Sequence, residues 1–171
     1  GTFFARSLDV ALDISQEVMM AAAQHKGCSV VEILQNCMIF NNGIHGYITD
    51  RENRPDRTIH LVHGEKMIFG KDHNRGLVQD GFGLKAVTIG EDGYTIDDVL
   101  VHDAHCHSSF LHQMLAMMDG TDLPVALGVI RAVEAPTYET AVAEQVEQAK
   151  AMHGFTCLHD VIMSGDTWEV E

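Results

Sequence analysis

The sequence predicts an α/β fold: a parallel sheet carrying helices, a small antiparallel β appendage, and helices towards the carboxyl end. Three observations predict it. Residues 2–37 read as strand, helix, strand, which is a β-α-β unit. Residues 44–103 replace that rhythm with short apolar runs separated by turn residues. Residues 104–171 return to helical and strand periodicity. The expected organisation is therefore three segments, 1–43, 44–103 and 104–171.

In the first segment, Thr2 to Leu8 is a strand with two aromatics. Asp13 is the expected N-cap of a helix, with Gln16 at capping-box spacing. Ile14, Val18, Ala22 and His25 recur on one stripe of that helix, and Gly27 is placed to end it. Ser29 to Leu34 is a nearly continuous apolar run, as in a parallel strand covered on both faces. Glu32 interrupts it and is expected to be a hydrogen-bonded carboxylate at an edge or contact.

In the second segment, Asn41-Asn42-Gly43 is a turn and residues 49–58, with Pro55, a charged surface loop. Thr58–Val62 and Met67–Phe69 flank His63-Gly64-Glu65-Lys66 as an expected hairpin. Phe82–Ile89 and Val99–His102 flank a turn at Glu91-Asp92-Gly93 as a second. In the third, Ser108 or Ser109 caps a helix through Met118, whose methionines read as core. Pro124 to Val133 is a buried strand. Thr137 caps the clearest helix, where Tyr138, Val142, Val146, Ala149 and Met152 repeat at helical spacing before Gly154. The tail from Phe155 to Glu171 alternates apolar and polar residues.

Composition removes several functions. The 171 residues hold 11 Lys+Arg against 25 Asp+Glu, a net charge of −14, with 11 histidines besides. An acidic chain lacks the clustered cations that phosphate contacts need, so neither nucleic acid nor an anionic membrane is an expected partner. Hydrophobic residues reach 46%, enough for a folded core rather than a disordered chain. No run approaches the ~18 apolar residues of a membrane span. Four scattered cysteines, Cys28, Cys37, Cys106 and Cys157, read as reduced thiols in a cytoplasmic protein. The start at Gly1-Thr2-Phe3-Phe4 opens directly on an apolar strand. That predicts a piece of a longer polypeptide, with a native edge strand as the alternative.

Two groups carry candidate chemistry. Cys37 falls just past the carboxyl end of the 29–34 strand, where ligands gather in open parallel sheets. The bland reading is a small buried hydrophobe. His102-Asp103-Ala104-His105-Cys106-His107, with His112 beyond, holds zinc-type donors. It also straddles a strand end and a helix start, so its side chains cannot all converge. A polar helix start is the expectation there, with a metal on His102, His105 and His107 the alternative. Asp80-Gly81-Phe82-Gly83 reads as a turn. No Gly-x-Ser-x-Gly elbow and no phosphate-binding Gly-x-x-x-x-Gly-Lys loop occurs.

A long run is more specific. His25-Lys26-Gly27-Cys28-Ser29-Val30-Val31-Glu32-Ile33-Leu34-Gln35-Asn36-Cys37-Met38-Ile39-Phe40-Asn41-Asn42-Gly43 resembles the β subunit of 2-oxoacid:ferredoxin oxidoreductases, most closely the 2-oxoglutarate branch. Leu61 to Gly70 is similar to that family's L-x-H-G-x-P-x-x-F-G segment, with Lys66 in place of its proline. Val101-His102-Asp103, Pro124 to Arg131 and Pro136-Thr137-Tyr138 are similar to further family segments. The resemblance implies that residues 1–43 complete a thiamine-diphosphate-binding, transketolase-like domain. It implies an enzyme that decarboxylates a 2-oxoacid oxidatively, forms acyl-CoA (succinyl-CoA from 2-oxoglutarate) and reduces ferredoxin. The implied cofactors are thiamine diphosphate, Mg²⁺ and a [4Fe-4S] cluster, and the implied partners are an α subunit, ferredoxin, coenzyme A and the 2-oxoacid.

The family's diphosphate motif and three cluster cysteines precede the segment seen here. Cys37 matches the fourth, so the cofactor and metal residue carried over is Cys37 alone. This chain is then a carboxyl-terminal half, expected to be inactive and without cofactor by itself. The alternatives are a subunit acting on pyruvate or another 2-oxoacid, and a non-catalytic His-rich metal-binding or interaction domain.

Overall fold

The apolar runs at 3–8 and 29–34 form parallel strands because a helix between them returns the chain to the same edge. The computed structural model describes residues 1–168 and 170; Glu169 and Glu171, in the alternating tail, lie outside the described residues. Strand β1 (Phe3–Leu8), helix α1 (Leu12–Gln24) and strand β2 (Ser29–Leu34) are the expected β-α-β unit. β1 and β2 pair in parallel from Phe3↔Ser29 to Leu8↔Leu34. The expected Asp13 capping box is not formed, since Ala11 occupies the N-cap. Ser15 instead donates its hydroxyl to Leu8 O at 3.1 Å and pairs with Ser7 Oγ, which ties the first turn to the strand end.

A single-turn helix, α2 (Gly46–Thr49), leads into the charged stretch 49–58, and that stretch, expected as a loop, itself holds a second, α3 (Arg54–Arg57). Strands β3 (Thr58–Leu61) and β4 (Ile68–Phe69) follow, but they do not form the expected hairpin. β3 pairs in parallel with a later strand, and β4 joins a second sheet. The cause lies between them, where the main chain of 64–67 pairs across to 100–102. Gly64 N and Met67 N donate to His102 O and Leu100 O, and His102 N returns to Glu65 O. The second expected hairpin is also displaced. Strand β5 (Arg75–Asp80) pairs with β6 (Gly83–Thr88) around Gly81 and Phe82, the turn foreseen at Asp80–Gly83. Val99–His102 forms only a single bridge, Val101 to Lys66.

Helix α4 (Phe110–Met117) and strand β7 (Val125–Ala132) match expectation; α5 (Tyr138–His153) and α6 (Leu158–Ile162) follow. Of the methionine run, Met118 is buried and Met117 is exposed. The sheets are four-stranded, β2-β1-β7-β3, and three-stranded antiparallel, β4-β5-β6. The α/β class with an antiparallel appendage and carboxyl-terminal helices is thus observed. Its main sheet departs from an all-parallel one, because two parallel pairs meet at the antiparallel seam β1–β7. β2 lies at an edge, with Val30 and Ile33 about half exposed, rather than covered on both faces.

Contacts divide the chain into residues 1–135 and 136–171. In the first unit, β7 supplies both faces of the core. Ala126 and Ile130 pack with Ile59, Leu61, Leu77 and Leu115. Val125 and Leu127 pack with Leu8 and Ile48. Each such buried side chain contributes roughly 1.5–3 kcal/mol. Gly128 is required where β3 meets β7, for a Cβ there would lie 2.7 Å from Leu61 O, at a φ of +95°. In the second unit, Thr137 caps α5 by accepting from Thr140 N, and Gly154 ends it in the left-handed region. No described helix is long and apolar enough to cross a membrane.

Candidate functional site

β2 stops at Leu34, whose carbonyl accepts from Asp9 N at 3.1 Å, so the ends of the two parallel strands stay together. The chain then folds into a small closed loop. Asn36 holds it shut: its Oδ1 accepts from Gly43 N at 2.7 Å and its Nδ2 donates to Asn42 Oδ1 at 3.0 Å. Asn41 N donates to Cys37 O at 3.0 Å. Gly43 closes the loop at a φ of +82°, where a side chain is disfavoured.

This closure turns main-chain N–H groups towards the Cys37 sulfur. Phe40 N donates to Cys37 Sγ at 3.5 Å. The N–H groups of Phe40, then Ile39, and to a smaller degree Asn41, favour the thiolate and hold the thiol below its ordinary pKa. The small opposing influence is desolvation. Met38, Ile39 and Phe40 are all more than three-quarters exposed. The loop is therefore a half-exposed thiol in a ring of N–H donors, fringed by apolar side chains. A soft sulfur whose thiolate is favoured by N–H donors suits iron–sulfur ligation.

One thiol is not a cluster site. Cys28 precedes the amino end of β2, the opposite end of the strand from Cys37, and Cys106 lies before α4. No group of three or more His, Cys, Asp or Glu side chains that could hold a metal ion occurs among the described residues. The residues present fit one ligand of a four-ligand cluster, not a whole site.

The histidine-rich segment is built differently. His102 is 1% exposed and donates Nε2–H to Val129 O at 2.9 Å. His112, also buried, donates Nε2–H to Asp103 O at 2.8 Å and accepts at Nδ1 from Arg131 Nη1 at 2.9 Å. His105 Nδ1 bonds Ala132 O at 2.5 Å. These rings tie the 102–107 turn to β7, so the expectation of a surface-like helix start is corrected for His102. That residue is part of the interior. His105 and His107 are both exposed; the His107 ring makes no side-chain hydrogen bond among the described residues, and its carbonyl accepts from Arg131 Nη2. Burial lowers the His102 pKa, outweighing the Val129 carbonyl. Its Nδ1 is buried without a partner.

Glu32 is the hydrogen-bonded carboxylate expected, since Arg6 Nε donates to its Oε2 at 2.5 Å and Arg6 Nη2 to Ala116 O. Two supporting residues were not singled out from sequence. Asn36 was visible only as part of the Gln-Asn-Cys match, and Arg131 only as the last residue of the 124–131 segment. Arg131 reaches Gly1 O, Cys106 O, His107 O and His112 Nδ1, which makes it the tie between the chain start and the histidine turn.

No family model matches the chain, and no solved structure matches it. A curated relative does. The 2-oxoglutarate oxidoreductase subunit KorB of Mycobacterium tuberculosis is 35% identical over an alignment of 173 positions that covers 99% of this chain. The chain spans 46% of that relative's length. Similarity to a 2-oxoglutarate oxidoreductase subunit therefore runs along nearly the whole chain, well beyond residues 25–43.

Proposed function

We propose that this chain is the carboxyl-terminal part of the β subunit of a cytoplasmic 2-oxoacid:ferredoxin oxidoreductase, with 2-oxoglutarate as the 2-oxoacid. The complete enzyme would convert 2-oxoglutarate and coenzyme A to succinyl-CoA and CO₂ and pass two electrons to ferredoxin, with an α subunit as partner. Thiamine diphosphate with Mg²⁺ supplies the carbanion chemistry in such enzymes, and a [4Fe-4S] cluster takes the electrons one at a time. In this chain Cys37 would be one cluster ligand. The observation that carries the reading is the Cys37 loop: the thiol at the end of β2 is faced by main-chain N–H groups, within the run most similar to the family. Those donors favour the thiolate, and Asn36 keeps them in place. The similarity to KorB over 99% of this chain supports the substrate assignment.

The test is coenzyme A-dependent reduction of ferredoxin by the assembled enzyme. 2-Oxoglutarate should be turned over with a kcat/KM at least about tenfold above pyruvate, the order that a few buried polar contacts to the second carboxylate provide. Equal or higher turnover of pyruvate would reassign the substrate, and no reduction with any 2-oxoacid would remove the reading.

A further inference from the structure

Asn36 ties the loop that follows β2 to the sheet at both of the loop's ends. Its main-chain N donates to Asp9 Oδ2 at 3.4 Å, and Asp9 N donates to Leu34 O, so the residue is fixed to the paired ends of β1 and β2. Its side chain then reaches across the loop. Oδ1 accepts from Gly43 N at 2.7 Å, and Nδ2 donates to Asn42 Oδ1 at 3.0 Å. Between these ends the chain turns back on itself, which brings Phe40 N to 3.5 Å from Cys37 Sγ. The two side-chain bonds need an acceptor and a donor on one short stem, which is what an amide supplies. Residues 35–43 carry no charged side chain. Within the loop, the polar groups that face the sulfur are therefore main-chain N–H groups, and their aim depends on the closure that Asn36 makes.

We infer that Asn36 is a positioning residue: it holds main-chain N–H groups on Cys37 Sγ, and so raises the reduction potential of the cluster that Cys37 would ligate. This rests on reading Cys37 as a cluster ligand. Reduction adds one electron and no proton to such a cluster, and the added negative charge is shared by its sulfur ligands. Hydrogen bonds to those sulfurs favour the more negative state, which makes the potential less negative. A main-chain N–H carries no titratable proton, so its effect is set by distance and direction alone. A loop freed at Gly43 would let Phe40 N swing from the sulfur to water, and the reduced state would lose that support.

The test is a redox titration of the intact enzyme with dithionite, read by the reduced-cluster signal in electron paramagnetic resonance, with iron content measured alongside. In Asn36→Ala the equilibrium constant for one-electron reduction should fall by about tenfold, which is about 59 mV towards more negative potential. Asn42→Ala removes only the second bond and should shift the constant in the same direction by less than about threefold. A merely structural role would lower iron content or stability and leave the potential of the remaining clusters where it was. An unchanged potential in Asn36→Ala therefore overturns the inference. A second measurement needs no variant. With phenylalanine labelled at its main-chain nitrogen, pulsed electron paramagnetic resonance of the reduced wild-type enzyme should detect one coupled nitrogen, that of Phe40. Absence of that coupling overturns the inference as well, whether or not Asn36→Ala keeps its cluster. The Cys37 assignment fails separately, by full iron content in Cys37→Ser.

Discussion

Two stretches of this chain carry metal-type donors, and the structure treats them in opposite ways. The loop 35–43 has a single thiol and leaves it half-exposed, with the main chain donating to the sulfur. The turn 102–112 has four histidines, and three of them bond main-chain carbonyls. Donor density alone therefore does not mark which stretch is open to a metal. What separates a ligand from a scaffold is where the donor's lone pairs go. The Cys37 sulfur accepts N–H groups and keeps capacity for a metal. The Nε2 atoms of His102 and His112 act as hydrogen donors to carbonyls and have no lone pair to offer.

The comparison is broken most sharply by removing the thiol. In the intact enzyme, Cys37→Ser should lower iron content and erase the reduced-cluster signal in electron paramagnetic resonance. The oxygen of serine is a harder and poorer ligand for cluster iron. Cys28→Ser, Cys106→Ser and Cys157→Ser should leave both readouts in place. A full cluster in Cys37→Ser would make that residue an ordinary thiol at a strand end.

The next largest effect falls on the other region and should leave iron untouched. His112→Ala removes a buried ring, the donor to Asp103 O and the acceptor for Arg131. Loss of a buried hydrogen-bonded network of this kind costs about 2–4 kcal/mol. Urea unfolding of the chain should show that loss in the transition midpoint. A change below about 1 kcal/mol would mean that the ring is not holding the turn to β7.

His102 sharpens the contrast through pH. Burial holds its folded pKa below the ordinary 6.5. The unfolded chain then binds the proton more readily, so the stability from the neutral buried ring is fully present above about pH 6.5. It is lost as pH falls from there through the folded value. The carboxylates of Asp98, Asp119 and Asp160 have folded pKa values below 3.8, so their contributions fade only in a more acidic window. Stability measured from pH 7.5 down to 5 should fall in wild type and flatten in His102→Gln. An unchanged slope in the variant would place the titrating group elsewhere.

The same contrast shows what sequence could and could not convey. The β-α-β start was legible because the stripe of α1 and Gly27 are local signals. Likewise β7 was legible as an apolar run after Pro124. The pairing of 58–69 was not, since Met67 bonds Leu100 across the chain, and pairing partners leave no local trace. β5 was missed because Gly76 weakens its pattern. The glycine is there for space: a Cβ would come 2.5 Å from Val99 Cγ2. At the site, Cys37 was legible from its place after a strand and from the Gln-Asn-Cys match. The N–H donors around it were not, because every residue type carries one. The burial of His102 was hidden as well, since histidine is intermediate in its preference for the interior and its type alone does not tell.

The smallest effect is the one that most directly opposes the two readings of the histidines. His107 is exposed, and the interaction its residue provides is through the carbonyl, which accepts from Arg131 Nη2 at 3.3 Å. Any side chain preserves that bond. His107→Gln should change stability by less than about 0.5 kcal/mol, the range of ordinary surface substitutions. Zinc is the discriminating addition. A site made by His102, His105 and His107 would gain stability from bound metal, about 2.7 kcal/mol at a hundredfold excess over Kd, and the substitution would abolish the gain. The structure leads to the opposite expectation, because His102 and His105 already bond Val129 O and Ala132 O through ring nitrogens. Melting temperatures of wild type and His107→Gln, each with and without added zinc, should therefore agree within about 2 °C. A zinc-dependent rise in wild type alone would return the histidine turn to the role of a ligand set and end its contrast with the Cys37 loop.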